Sequence, residues 1–291
     1  MMGTTCDNIV INRGQFCFSN DLIYFWAWDD AISDSRIFEY DLGTGKAVGL
    51  RSIGDDIKNL FVSGSRIYYV SGDSLKSVTK SGQKPRTVFS REGKGCWALT
   101  VYDNTAYFLD TVGGNLFSRN LADGSEQKLL SNVFTYHIGQ GKIYVLADEN
   151  DHRDLYISDL EQIDFQKAEL AIDPIVISAG GGTVYVSEAG TYQMFAFVNG
   201  QLSQLPMRAT FYAIVGDTIF YLDADTYADS GYTLTTYDTE TGEKEAVFEN
   251  VCDFNVLEDR YICMQSFGGN NRTNNHVFDW LTGEHFTMLE G

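Results

Sequence analysis

A turn-then-strand pattern that recurs seven times, at intervals of about 40 residues, predicts an all-β chain: a seven-bladed β-propeller of four-stranded antiparallel blades. Two further observations agree with it. Short strand-like runs alternate with turn signals, and no stretch carries a helical apolar period. The composition fits as well, with 17 Tyr, 19 Phe and 28 Gly against 3 Pro in 291 residues. Aromatic and β-branched residues suit a pleated, half-buried surface. Glycine supplies the left-handed corners of tight hairpins.

Each unit opens on a polar or glycine-rich turn followed by an alternating strand. Asn20-Asp21 precedes Leu22-Ile23-Tyr24-Phe25, and Gly64-Ser65 precedes Arg66-Ile67-Tyr68-Tyr69. The equivalent positions are Tyr24, Tyr68, Tyr107, Tyr144, Tyr185, Phe220 and Ile262, at intervals of 44, 39, 37, 41, 35 and 42. A second turn follows later in most units, as in Asp41-Leu42-Gly43-Thr44-Gly45 and Asp238-Thr239-Glu240-Thr241-Gly242. The fourth unit departs, with Asp159-Leu160-Glu161-Gln162 in that place. In the second unit the expected strands are Lys58–Val62, Arg66–Ser71, Ser74–Thr79 and Arg86–Phe89. The blades fall near 14–50, 57–89, 96–130, 133–168, 172–205, 208–248 and 251–290, in one domain spanning 1–291. A sandwich or barrel needs no such self-similarity. A propeller does, because each blade buries its faces against its neighbours. Asp7-Asn8-Ile9-Val10-Ile11 is a candidate extra strand for closing the ring; face-to-face packing of the first and seventh blades is the alternative.

The net charge is −19, from 40 acidic and 21 basic residues. No Lys/Arg cluster offers a footprint for nucleic acid, so none is expected to bind. An anionic membrane surface is disfavoured for the same reason, and the absence of a long apolar run argues against membrane insertion. Met1 to Arg13 has neither a basic start nor a long apolar stretch and does not read as a signal peptide, so a chain complete as given is expected in the cytoplasm. Five Cys at irregular spacing, with no Cys-x-x-Cys, argue for buried thiols rather than disulfides or zinc. Cys252 and Cys263 are expected on neighbouring strands of one hairpin.

Asn115-Leu116-Phe117-Ser118-Arg119-Asn120-Leu121-Ala122-Asp123-Gly124-Ser125, followed by Gln127-Lys128-Leu129-Leu130, resembles the repeat of a bacterial family of β-propellers of unassigned function. That family is similar to the low-density-lipoprotein-receptor-related propellers. Asn8-Ile9-Val10 through Gly14, with Asn20 to Phe25, resembles the family's opening segment. The resemblance implies the fold and no particular activity. The Tyr-Trp-Thr-Asp strand of the receptor propellers is absent here.

The connections between second and third strands all emerge on one face. They are short in units two, three and five and long in units one, six and seven, which are adjacent once the ring closes. The long ones carry Trp26, Trp28, Asp29 and Asp30, then Asp225, Tyr227 and Asp229, then Asn270, Asn271 and Arg272. These are the candidate ligand-binding residues, since Trp and Tyr give rigid contact area with a polar handle and long loops in compact folds are often functional. Asp148-Glu149-Asn150-Asp151-His152-Arg153-Asp154 lacks the spacing of a calcium loop and reads as a solvated acidic turn. Asp223, Asp225 and Asp229 read likewise. His137, His152, His276 and His285 show neither metal-ligand spacing nor a linked nucleophile and read as structural. Gly180-Gly181-Gly182 precedes a strand, so it is a turn and not a phosphate cradle. Asn271-Arg272-Thr273 matches a glycosylation acceptor that matters only if the chain is secreted. No catalytic residue, metal or cofactor is expected. The expectation is a non-catalytic binding or scaffolding propeller for a protein, peptide or glycan. Its rivals are a hydrolase, lyase or lactonase acting at the channel mouth, and a spacer that binds nothing.

Overall fold

The structure is a computed structural model and describes residues 14–29, 32–50, 57–149, 151–228, 231–267 and 273–290. Every regular element among them is a strand. The first sheet comprises β1 (Phe16–Ser19), β2 (Leu22–Asp29), β3 (Asp34–Asp41) and β4 (Lys46–Gly49). The second comprises β5 (Lys58–Ser63), β6 (Arg66–Ser71), β7 (Ser74–Thr79) and β8 (Arg86–Ser90). The third holds β9 (Trp97–Tyr102), β10 (Thr105–Leu109), β11 (Leu116–Asn120) and β12 (Glu126–Leu130). The fourth holds β13 (Val133–Gly139), β14 (Lys142–Glu149), β15 (His152–Asp159) and β16 (Gln166–Ala168). Each is an antiparallel meander in chain order.

The remaining strands form one ten-stranded sheet in chain order. They are β17 (Pro174–Gly180), β18 (Thr183–Glu188), β19 (Gln193–Val198), β20 (Gln201–Val215), β21 (Thr218–Ala228), β22 (Gly231–Asp238), β23 (Lys244–Leu257), β24 (Tyr261–Phe267), β25 (Thr273–Asp279) and β26 (Glu284–Leu289). Two of these strands serve two blades each. The start of β20 pairs with β19 (Val198↔Gln201) and its end with β21 (Val215↔Thr218). Likewise β23 starts on β22 (Tyr237↔Lys244) and ends on β24 (Leu257↔Tyr261). Counted by pairing, the described strands make seven four-stranded blades.

The long strand β20 contains Pro206. Proline lacks an N–H and is confined in sheets to edges and bulges. It sits here in a slip of the β19–β20 register. Gln193 stitches that slip, donating its side-chain amide to the carbonyls of Leu205 (2.6 Å) and Met207 (2.9 Å).

Seven buried clusters hold the blades together, one at each junction. Blades 1 and 2 share Cys17, Tyr24, Leu60 and Tyr69, and blades 4 and 5 share Tyr144, Leu155, Ile177 and Val186. The cluster that joins Phe16, Ile23, Phe25 and Phe38 of the first blade to Leu257, Cys263, Val277 and Met288 of the last makes the arrangement a ring. Closure therefore rests on face-to-face packing among the described residues. The candidate closing segment Asp7–Ile11 lies outside them.

Tyr136 and Tyr212 occupy equivalent inner-strand positions and clasp the preceding blade. The Tyr212 hydroxyl lies 3.0 Å from the Val176 carbonyl and 2.8 Å from that of Tyr185. The Tyr136 hydroxyl meets the carbonyls of Ala98 and Tyr107 in the same way. Tyr212→Phe should cost about 1–2 kcal/mol in urea unfolding, since it leaves buried carbonyls short of a donor; an unchanged unfolding midpoint would show that the clasp contributes nothing.

On one face, called lower here, the recurring Asp holds the second turn. The Asp41 carboxylate accepts from the Gly43 and Thr44 amides (2.8 and 3.1 Å), and that of Asp238 from Glu240 and Thr241 (2.9 and 2.7 Å). In the divergent fourth blade Ser158 substitutes, accepting from the Asp164 amide at 2.7 Å. The opposite, upper face carries the second-to-third-strand hairpins and the crossings between blades.

Candidate upper-face binding site

The three long connections are mostly strand. Pairing runs out to Asp29↔Asp34 in blade 1, Ala228↔Gly231 in blade 6 and Phe267↔Thr273 in blade 7. Their Trp, Tyr, Thr and Phe content explains this, since such residues favour the pleat. In blade 6 a register slip is bridged by Thr226, whose hydroxyl donates to the Asp223 carbonyl (2.8 Å) and accepts from the Thr233 amide (2.9 Å). Gly231 is required at the turn back. Its φ is +119°, and a Cβ there would stand 2.8 Å from the Val251 carbonyl oxygen. The upper ends of the inner strands are also irregular. Blades 2 to 7 each show a register slip between first and second strand there. Bulges of this kind re-aim side chains next to binding sites.

The candidate residues have different fates. Trp28 projects into solvent, 60 % exposed, and Tyr227 is 65 % exposed with its ring 4.8 Å from that of Tyr232. Trp26 is half-buried against the blade 1–2 core. Asp29 is held by Arg36 (2.8 Å) and Asp225 by Arg208 (2.5 Å). Asp30, Asp229, Asn270, Asn271 and Arg272 lie outside the described residues. Topology places the hairpins bearing Trp28 and Tyr227 on one face, in sectors on either side of blade 7.

Residues the sequence reading passed over complete the surface. Ile32 and Phe267 stand exposed on the hairpins of blades 1 and 7. Trp97, Val112, Phe134 and Tyr192 stand exposed at the upper ends of blades 3, 4 and 5. Eight of the thirteen large apolar side chains exposed among the described residues thus lie on the upper face. Contiguous exposed apolar surface marks interaction sites, whereas scattered residues do not.

The acidic stretch of blade 4 is internally neutralised. Lys167 bridges Glu149 (2.6 Å) and Asp154 (2.9 Å), and Arg153 pairs with Asp173 (2.7 Å). Hydrogen bonds from Lys167 and Tyr156 hold the Glu149 carboxyl below its usual range. Among the described residues no group of three or more His, Cys, Asp or Glu is placed to hold a metal ion.

One expectation about histidine needs correcting. His276 does have a linked hydroxyl: its Nε2 lies 2.8 Å from Ser266 Oγ, and its Nδ1 lies 3.3 Å from Thr287 Oγ1. Ser266 is ten residues away in sequence, brought close across the β24–β25 hairpin. The pair is buried, at 5 % and 6 % exposure, and among the described residues the second ring nitrogen faces the Thr287 hydroxyl rather than the carboxylate that orients a catalytic imidazole. Burial, with His285 beside it, lowers the His276 pKa to about 4. The pair holds blade 7 together.

Cys17, Cys96, Cys252 and Cys263 are free; Cys17, Cys96 and Cys263 are buried as expected, Cys252 is partly buried, with its thiol pushed up to about 11, and Cys6 lies outside the described residues. Cys252 and Cys263 do lie on the paired strands β23 and β24. On the lower face, a cleft of about 560 Å³ between blades 6 and 7 is lined by Thr218, Thr236, Asp238, Glu243, Lys244, Glu245 and Trp280. Asp238 is committed to its turn there, and Lys244 donates to the Pro206 carbonyl.

No protein-family model matches the chain. No curated protein matches it in sequence. Solved structures do match. An oligogalacturonate lyase in complex with manganese is 12 % identical, with 99 % of this chain and 91 % of that one covered and a TM-score of 0.66. TolB from Acinetobacter baumannii is 14 % identical over 95 % of this chain and 79 % of that one, with a TM-score of 0.55. A puromycin-hydrolyzing peptidase of Mycobacterium tuberculosis is 11 % identical over 99 % of this chain, with a TM-score of 0.70, but this chain spans only 55 % of that protein. At such identities the likeness is one of fold. The protein is a β-propeller, and its structural neighbours include enzymes as well as non-enzymes. Among the described residues no helix is long and apolar enough to cross a membrane.

Proposed function

We propose that this propeller is a non-catalytic binding module that takes a protein, peptide or glycan partner on its upper face, over blades 6, 7 and 1. The observation that supports the reading is the exposure of Trp28, Ile32, Tyr227 and Phe267 on three extended hairpins of that sector. Water is released from such side chains when a partner covers them, and rigid aromatics lose little conformational freedom in doing so. The rival reading, a channel-mouth enzyme, calls for convergent carboxylates or histidines with shifted pKa values in a polar pocket. The two histidines with lowered pKa, His276 and His285, lie instead against Phe248 at the blade 6–7 junction.

Melting curves of the full chain with a panel of peptides and glycans should reveal a ligand as a rise of several degrees at about 100 times its Kd. Trp28→Ala with Tyr227→Ala should then weaken that ligand by more than about 1 kcal/mol while leaving the melting temperature of the free protein unchanged. Binding that survives the double substitution places the site elsewhere.

A further inference from the structure

The lower face offers a place for a small ligand that is independent of the upper one: the cleft of about 560 Å³ between blades 6 and 7. Small-molecule sites commonly span about 300–1,000 Å³. One wall comes from blade 6. Thr218 opens β21, Thr236 and Asp238 lie on β22, and Glu245 lies at the start of β23. Cross-strand partners share a face of the sheet. The register pairs Thr218 with Asp238 and Thr236 with both Phe220 and Glu245, and Phe220 belongs to the blade 6–7 core, so this row of side chains turns towards blade 7. Lys244 alternates to the other face and takes its ammonium to the Pro206 carbonyl of blade 5.

Trp280 of blade 7 supplies the opposite wall. Its amide donates to the Arg260 carbonyl at 3.0 Å, and the same bond marks the equivalent residues of blades 1, 3 and 4 as Leu42, Leu121 and Leu160. Each of those leucines packs against the preceding blade. Packing alone thus asks for no more than a leucine here. The indole does that packing, edge-on to Phe220 with centroids 4.9 Å apart and 6.2 Å from Phe278, and its remaining surface extends into the cleft. Its one hydrogen bond among the described residues is the backbone bond to Arg260, so the indole N–H is left for a ligand.

The half-buried part of the lining is therefore uncharged: an indole fixed in place and the hydroxyls of Thr218 and Thr236. Asp238 is committed to the Glu240 and Thr241 amides. Glu243 and Glu245 are exposed at the rim and carry no ion pair among the described residues, so they offer acceptor oxygens more than a strong field. A rigid apolar plate ringed by donors and acceptors suits a molecule with one C–H face and many hydroxyls. We infer that this cleft binds a neutral saccharide, with one face of a sugar ring on the Trp280 indole and its hydroxyls bonded to Thr218, Thr236, the indole N–H and the rim carboxylates.

The test follows the indole N–H resonances of the isotope-labelled full chain, one for each of its four Trp. Trp280→Leu, the side chain that blades 1, 3 and 4 carry, assigns the resonance of interest. The probes are neutral hexose and pentose mono- and disaccharides, titrated to about 10 mM so that millimolar binding registers. At least one should move the Trp280 resonance saturably, and Trp280→Leu should weaken that sugar about tenfold. Thr218→Lys is the second variant. It fills the cleft and leaves the indole in place, at a position where blades 2 and 4 already carry Arg66 and Lys142, and it should abolish the shift. Melting curves check that both variants fold. Glu243→Gln with Glu245→Gln removes the rim charge and keeps acceptors, so the affinity should change less than about threefold. Trp28→Ala with Tyr227→Ala, on the upper face, should change nothing. A Trp280 resonance that no sugar moves, or sugar binding that survives both Trp280→Leu and Thr218→Lys, would overturn the site. Response to amines alone, lost with the two Gln substitutions, would overturn the neutral saccharide. Sugars that move only the Trp28 resonance would overturn the lower site and support the upper face instead.

Discussion

Truncating Phe25 to Ala should cost about 4 kcal/mol and loosen the ring at one place, between its first and last blades. Phe25 is fully buried, 5.9 Å from the Phe16 ring and stacked on Phe38 at 5.4 Å. It belongs to the cluster that joins blade 1 to blade 7. The other six junctions are also bridged by the chain passing from one blade to the next. Among the described residues this one has side-chain packing and a few polar contacts, such as Gln15 to Asn275 at 3.4 Å. The junction is polar towards its upper end, and among the described residues the buried side-chain amide of Asn255 and Nδ2 of Asn275 have no hydrogen-bond partner there. Such groups weaken an interface rather than strengthen it. Hydrogen exchange of Phe25→Ala should therefore accelerate in β1, β2 and β24 while β10 and β14 stay protected. Acceleration spread evenly round the ring would mean that closure is no weaker than any other junction.

Acidification from pH 7 to 4.5 should destabilise the protein through a buried imidazole. His276 carries a pKa of about 4 in the folded chain against 6.5 for an ordinary imidazole, because it is buried and sits 5.2 Å from His285, whose pKa is lowered too. A folded-state pKa below the unfolded one means that the unfolded chain takes up the extra proton. Stability is therefore full above pH 6.5 and falls as the pH drops towards 4. With allowance for solvent screening at the edge of the cluster, the loss by pH 4.5 should be about 2 kcal/mol. His276→Gln retains a hydrogen-bonding group for Ser266 and cannot titrate. Its urea-unfolding free energy should fall less steeply than the parent's between pH 6.5 and 4.5, the remaining slope belonging to His285, and a slope equal to that of the parent would assign the acid sensitivity elsewhere. The Asp279 carboxyl, held low by Arg260, adds its own loss only at lower pH.

The seven tyrosine-equivalent positions were legible because a blade repeats one local grammar: a left-handed turn, then an apolar alternation. Tyr24, Tyr68, Tyr107, Tyr144, Tyr185, Phe220 and Ile262 all fall on second strands. What escaped was non-local. Trp26-Ala27-Trp28 reads as a loop because charge follows it, yet Arg36 neutralises Asp29 from the opposite strand and lets the hairpin continue. Asp225 looks like a free ligand group until Arg208 reaches it from the neighbouring strand. The Ser266–His276 bond depends on the register of a hairpin and has no signature in spacing. Ile32 and Phe267 fall in the long connections as read from the sequence, but lack the polar handle, charge or amide that singles out the binding candidates there.

The two strands that pass from blade to blade, β20 and β23, have a mechanical consequence. Blades 5 to 7 form one unbroken sheet, whereas blades 1 to 4 are separate plates joined by crossings such as Arg91 to Cys96. The ring is thus a rigid arc completed by a jointed one. A cut in the jointed arc severs a connector and leaves each plate's ladder intact, whereas a cut near Pro206 or Asn250 splits a strand that two blades share.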